Sequence, residues 1–150
     1  MPPSIFPDNK TVAVATFWKG GSSNDVNMGE MLEKYGYGGT FVLEAPLSEE
    51  TAKRLSSLGH DFALEEPTFP QNANLFRHRY SDTFNDISDT WMKIEDVEGS
   101  ILLLYGDPSE LPSDTKQWLD FECIMGYLGG ISHVWYGSVA ELAAYLEEGK

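Results

Sequence analysis

Glu122 lies beside Phe121, and Trp118 stands one helical turn before it, so a helix through this region flanks a carboxylate with aromatic rings. Such neighbours strip water from a carboxyl group, which raises its pKa or sharpens its nucleophilicity. A second carboxylate, Asp86, sits in YSDTFNDISDTW, on a helix that leads into the apolar run ILLLY, with Asp82 and Asp89 as alternatives on that helix. Carboxylates from successive helices can converge at one end of a parallel sheet, one attacking as nucleophile while the other passes a proton. Glycosyl-group chemistry uses such pairs because its transition state is cationic at the sugar. A third constellation is the loop Lys19-Gly20-Gly21-Ser22-Ser23-Asn24. Its glycines let backbone approach a ligand closely, and the helix that follows offers free N–H groups to an anion.

Other chemistries lack their signatures. The chain has no Walker lysine loop, no GxGxxG after its first apolar run and no GxSxG elbow. His60, His78 and His133 have no metal-ligand spacing and read as surface or packed histidines. Cys123 stands beside Glu122 with no basic neighbour, which suits a buried, inert thiol. As the single cysteine, it excludes a disulfide framework.

The elements that must position these groups follow from periodicity. Thr11 to Trp18 reads as a first strand, and DVNMGEMLEKYG as a helix with Val26, Met28, Met31, Leu32 and Tyr35 on its apolar side. Thr40 to Leu43 is the second strand, stopped by Pro46. Ser48 starts a helix ending near Gly59. Residues 60–79 read as a long loop, and a helix over 81–94 precedes the buried strand Ile101 to Tyr105. Thr115 to Leu128 is a helix with Trp118, Phe121, Met125 and Leu128 on one stripe. Ile131 to Tyr136 is the last strand, and Ser138 caps the last helix. Strands alternate with helices, and the central strands are continuously apolar. This predicts an α/β fold: a single-domain, Rossmann-like three-layer sandwich over residues 1–150, with a mostly parallel central sheet and residues 1–10 as an N-terminal arm. Ligands of such folds sit at the carboxyl ends of the strands.

Composition narrows the partners. The chain has 150 residues, 41% hydrophobic and 13% aromatic, enough for one buried core. No apolar run is long enough to span a bilayer, and the N-terminus lacks a signal-peptide pattern, so a cytoplasmic protein is expected. The net charge of -14 repels nucleic-acid backbones and anionic membranes. Between Asp82 and Glu122, eleven acids face only Lys93 and Lys116. That segment is a solvated face or a surface for a basic protein partner.

The order of features resembles the nucleoside 2-deoxyribosyltransferase superfamily, which includes nucleotide N-glycoside hydrolases. The matching pieces are Thr11–Gly21, Asn85-Asp86-Ile87, Ile101–Tyr105, Pro108-Ser109 through Thr115, Phe121-Glu122 and Gly129–Val134. The resemblance implies that Glu122 attacks C1′ of the sugar and that Asp86 assists the leaving base or positions the sugar. It implies that Gly20, Gly21 and Ser22 face a 5′-hydroxyl or phosphate, that Trp18 stacks on the base, and that Ser109 joins the substrate-binding set. It implies a nucleoside or nucleotide substrate, no cofactor and no metal, with room for a homo-oligomer whose site lies at subunit contacts. The chain departs from the family at Ala13, where a Tyr is usual, and at Asp114, where a Gly is usual. A relative that binds a nucleotide without cleaving it fits these departures. The alternative is a non-catalytic acidic interaction protein, an inhibitor or nucleic-acid mimic. A third reading rests on Phe17 and Asp25-Val26-Asn27-Met28, which are similar to the start of phage S-adenosylmethionine-degrading lyases.

Overall fold

The computed structural model describes residues 6, 9–21, 24–43, 47–69, 71, 73–79, 82, 84–108 and 115–148, with side chains in the fourth helix described from residue 119. Its elements run β1 (Val12–Lys19), α1 (Asp25–Lys34), β2 (Gly39–Val42), α2 (Glu49–Ser57), β3 (Asp61–Ala63), β4 (Asn74–Arg79), α3 (Phe84–Ile94), β5 (Ser100–Gly106), α4 (Thr115–Leu128), β6 (Val134–Ser138) and α5 (Val139–Glu148). The sheet order is β3-β2-β1-β5-β4, and β6 also pairs with β1. Every pairing between named strands is parallel. The fold is an α/β, Rossmann-like three-layer sandwich, as the alternation of elements predicts. No helix among the described residues is long and apolar enough to cross a membrane.

The layers are unequal. Each step β1 to β2, β2 to β3, β4 to β5 and β5 to β6 moves toward the β3 edge. Right-handed crossovers therefore put α1, α2, α3 and α4 on one face. Their Met28, Leu32, Leu55, Ile87, Trp91, Phe121, Met125 and Leu128 form the main core with Val12, Val14, Trp18, Leu102 and Leu104 of the strands. The opposite face carries a smaller core, in which Val139 and Leu142 of α5 pack on Ala13, Ala15, Ile101 and Leu103. The small side chains of Ala13 and Ala15 let α5 lie close to β1.

One edge of β1 is shared by two strands. Val12 to Thr16 pair with β6, and Thr16 to Lys19 pair with β2. β6 therefore ends halfway along the sheet, and α5 begins there. The Ser138 hydroxyl caps α5 by accepting the Glu141 N–H at 3.1 Å, and the Thr40 hydroxyl accepts the Ala140 N–H at 2.9 Å. Both hydroxyls donate onward to the Asp61 carboxylate of β3, at 2.6 Å from Thr40 and 2.5 Å from Ser138. This relay places a negative charge at the helix N-terminus, where the helix dipole favours it.

Three expectations change. The stretch 60–79 is not one loop, because it holds β3 and β4. β4 hides its strand character because Leu75 and Phe76 pack inward on opposite cores while Asn74, Arg77 and Arg79 are exposed, which leaves no apolar–polar alternation. The last strand begins at Val134 rather than Ile131, since a turn intervenes in which the Val134 N–H bonds the Ile131 carbonyl at 3.1 Å. Cys123 is exposed, not buried, because it falls opposite the core-facing side of α4 that holds Phe121, Ile124, Met125 and Leu128.

Candidate functional site

The carboxyl ends of β1, β2, β4 and β5 gather at one end of the sheet. β6 stops halfway and α5 starts from there, so the upper half of the α5 face holds an open cleft. It has a volume of about 380 Å³ and is lined by Phe17, Lys19, Glu66, Arg79, Tyr105 and Asp107, among others. Strand parity decides which side chains reach it. Thr16 and Trp18 face the main core, so Phe17 and Lys19 face the cleft. On β5, Leu102 and Leu104 face the helices, so Tyr105 faces the cleft. On β4, the register sets Arg77 beside Leu103 and Arg79 beside Tyr105.

The cleft floor is an aromatic stack under a cation. The Phe17 and Tyr105 rings lie 5.4 Å apart and 10° from parallel. The Arg77 guanidinium sits 5.6 Å from the Phe17 ring centre and 5.2 Å from that of Tyr105, a cation–π arrangement over both. Arg77 is held there by Glu66, with N to O at 2.7 Å. At the strand ends, Lys19 approaches Asp107 to 4.0 Å. Lys19, Arg77 and Arg79 are three of only ten cations in a chain of charge -14. Cations, carboxylates and two aromatic rings thus meet at one concavity, the setting expected of a small-molecule site.

The glycine loop closes on itself beside this cleft. Gly21 adopts a φ of +107°, and its N–H donates to the Asp25 carboxylate at 2.7 Å. Asp25 is buried in the first turn of α1. Its negative charge occupies the helix terminus where an anionic ligand would otherwise be drawn. The Gly20 N–H donates to the Val42 carbonyl at 2.8 Å, and a β-carbon there would come within 2.4 Å of the Leu43 side chain. Asn24 ties the loop to the end of β5 through the Pro108 carbonyl at 2.9 Å.

Glu122 stands elsewhere. It pairs with Lys34 at 2.6 Å and accepts the Tyr35 hydroxyl at 2.7 Å, both at Oε2. The Lys34 hydrogen bond, then the Tyr35 one, hold its carboxyl below the usual carboxylate range, and the same contacts push the Lys34 and Tyr35 pKa values up. A carboxylate so fixed in its ionised form suits an ion pair better than a proton donor. The shallow cleft it borders is lined by residues of α1, α2 and α4 and the turn after α2, and none of α3, so Asp86 does not share it. Asp86 is exposed in the first turn of α3.

Trp18 is a core residue rather than a stacking surface. It has no exposed area, its ring meets Phe121 edge-on at 5.5 Å, and its indole N–H donates to Thr16 at 3.0 Å. The neighbouring Phe17 holds the exposed aromatic position, because successive strand residues face opposite ways. Ser22 and Ser109 lie outside the described residues. The sequence reading did not single out Phe17, Tyr105, Arg79, Glu66 and Asp107 as ligand residues. Parity along the first strand was the signal available for Phe17, once Trp18 is assigned to the core.

The chain matches no protein-family model, no curated protein and no solved structure.

Proposed function

We propose that this protein binds a nucleoside or nucleotide in the cleft at the carboxyl end of its sheet. The observation that carries this reading is the Phe17–Tyr105 stack beneath Arg77, opening onto Lys19, Arg79, Glu66 and Asp107. A base can pack beside the Phe17 and Tyr105 rings where they line the cleft, and stacking on an aromatic side chain contributes about 1–3 kcal/mol per base. Carboxylates accept hydrogen bonds from sugar hydroxyls, and the cations suit a phosphate. The position agrees with the general placement of ligands in open parallel sheets.

Two carboxylates in the same cleft favour a second reading, cleavage of the N-glycosidic bond. In it Glu66 and Asp107, which both line the cleft, take the two carboxylate roles in place of Glu122 and Asp86.

Nucleosides and nucleoside monophosphates tested by thermal shift supply the experiment. Ligand at 100 times its dissociation constant adds about 2.7 kcal/mol of stability, and Tyr105→Ala should weaken binding by roughly 5- to 150-fold. Chromatography of the same mixtures reads base release. Loss of release in Asp107→Asn but not Glu122→Gln supports the second reading, and the reverse assigns the chemistry to Glu122. Equal affinity in wild type and Tyr105→Ala, or no ligand at all, overturns the binding proposal.

A further inference from the structure

α4 is apolar on two opposite sides. Phe121, Ile124, Met125 and Leu128 enter the main core. Leu119, Cys123 and Tyr127, each four residues after the last, form a stripe on the outward side. Leu119 is 53% exposed and Tyr127 39%, and Cys123 is exposed between them. Phe84 of α3, 42% exposed, extends the stripe with its ring 5.0 Å from that of Tyr127. α2 behaves differently, since it turns Glu49, Glu50, Lys53 and Arg54 to solvent. A helix with apolar residues on both sides is suited to burial on both.

The charges around the stripe indicate what covers it. Asp120 of α4 and Asp86 and Asp89 of α3 are exposed, against one exposed cation on α3, Lys93, and no Lys or Arg in α4 from Leu119 onward. A second copy docked through the same patch would bring two sets of these carboxylates into one interface, in molecules that each carry -14. We propose that the Leu119–Cys123–Tyr127 face with Phe84 docks a basic amphipathic helix of another protein. Its apolar stripe would cover α4, and its Lys or Arg residues would meet Asp86, Asp89 and Asp120. This is helix recognition by apolar anchors at i and i+4 spacing, with rim charges steering the encounter.

Cys123 is the chain's single cysteine and stands in the middle of the stripe, so its alkylation reports on coverage. The probes are a synthetic helical peptide of leucine and lysine with one apolar face, and a scrambled peptide of the same composition. Binding is measured by fluorescence anisotropy, and Cys123 modification by its rate with iodoacetamide. At ten times its dissociation constant the amphipathic peptide should slow alkylation about tenfold, while the scrambled peptide changes it by less than about twofold. Leu119→Ser with Tyr127→Ser, a surface change that leaves the charge intact, should abolish the protection while the melting temperature stays near that of wild type. Equal protection by both peptides would mean charge attraction alone. Protection that instead rises with the protein's own concentration, together with a dimer mass in sedimentation, would assign the face to a second copy. Either result, or no protection by either peptide, overturns the proposal.

Discussion

Replacing Thr40 by Val removes one hydroxyl and almost no volume, in a strand that favours β-branched residues. That hydroxyl is buried, donates to Asp61 at 2.6 Å and accepts the Ala140 N–H at 2.9 Å. A hydrogen bond to a charged group contributes about 1.5–3 kcal/mol, and a buried donor left unsatisfied costs about 1–3 kcal/mol. Asp61 is half-buried, and water relieves part of its loss, so the expected destabilisation is about 2–4 kcal/mol. For a domain of this size that lowers Tm by roughly 4–16 °C. Asp61→Ala costs less per bond broken, because the Ser138 hydroxyl can turn to Glu141, 3.3 Å away. The two changes act on one relay, so the double variant should fall short of additivity by at least about 1 kcal/mol. Urea unfolding followed by tryptophan fluorescence measures all three variants. A Thr40→Val protein within about 0.5 kcal/mol of wild type, or singles that add, would refute the claim that this relay anchors α5.

Two further outcomes concern pH. His60 is buried, accepts the Gly39 N–H on Nδ1 at 3.0 Å and donates from Nε2 to the Gly29 carbonyl at 2.7 Å. Burial lowers its pKa below the ordinary value of 6.5. The unfolded chain therefore binds a proton first as pH drops through about 6.5, and native stability declines from there toward the lowered folded value. His60→Gln should flatten that part of the stability–pH curve, and an unchanged slope would discount the histidine. The Glu122 carboxyl is held low by Lys34 and Tyr35, so its contribution is present above the ordinary carboxylate range and disappears as pH falls through its folded value. The stability difference between wild type and Glu122→Gln should shrink on acidification, and a carbon-detected NMR titration of Glu122 should give a midpoint below that of an exposed glutamate.

Much of the fold was legible because strong periodicity and chain punctuation agree. β1, α1, α4 and the Ser138 cap stand within a residue or two of where their sequence places them. β3 and β4 were not legible. DFA is three residues long, and NLFRHR places Arg77 and Arg79 on the same side of the sheet as α5, in the half that α5 leaves open. The candidate site was half legible. The rule that ligands gather at strand ends pointed to the ends of β1, β2 and β5, but the weight fell on Trp18 and Glu122. Both are conspicuous in sequence, yet Trp18 is needed by the core and Glu122 by an ion pair. Arg77 shows the difficulty most plainly: its role depends on two rings from other strands, a relation that no local pattern carries.

The divided edge of β1 has a consequence for how the chain is made. Val12 pairs with Val134, so the first strand leaves the ribosome long before half of its edge can be covered. At about 5–20 residues per second the nascent chain carries that bare half-edge for on the order of ten seconds. An open parallel edge with apolar neighbours is a template for strand addition by any passing chain. Residues 134–138 therefore act as a late closing piece for synthesis as well as a strand. A chain released before they are made keeps the template open, a substrate for chaperones rather than for folding.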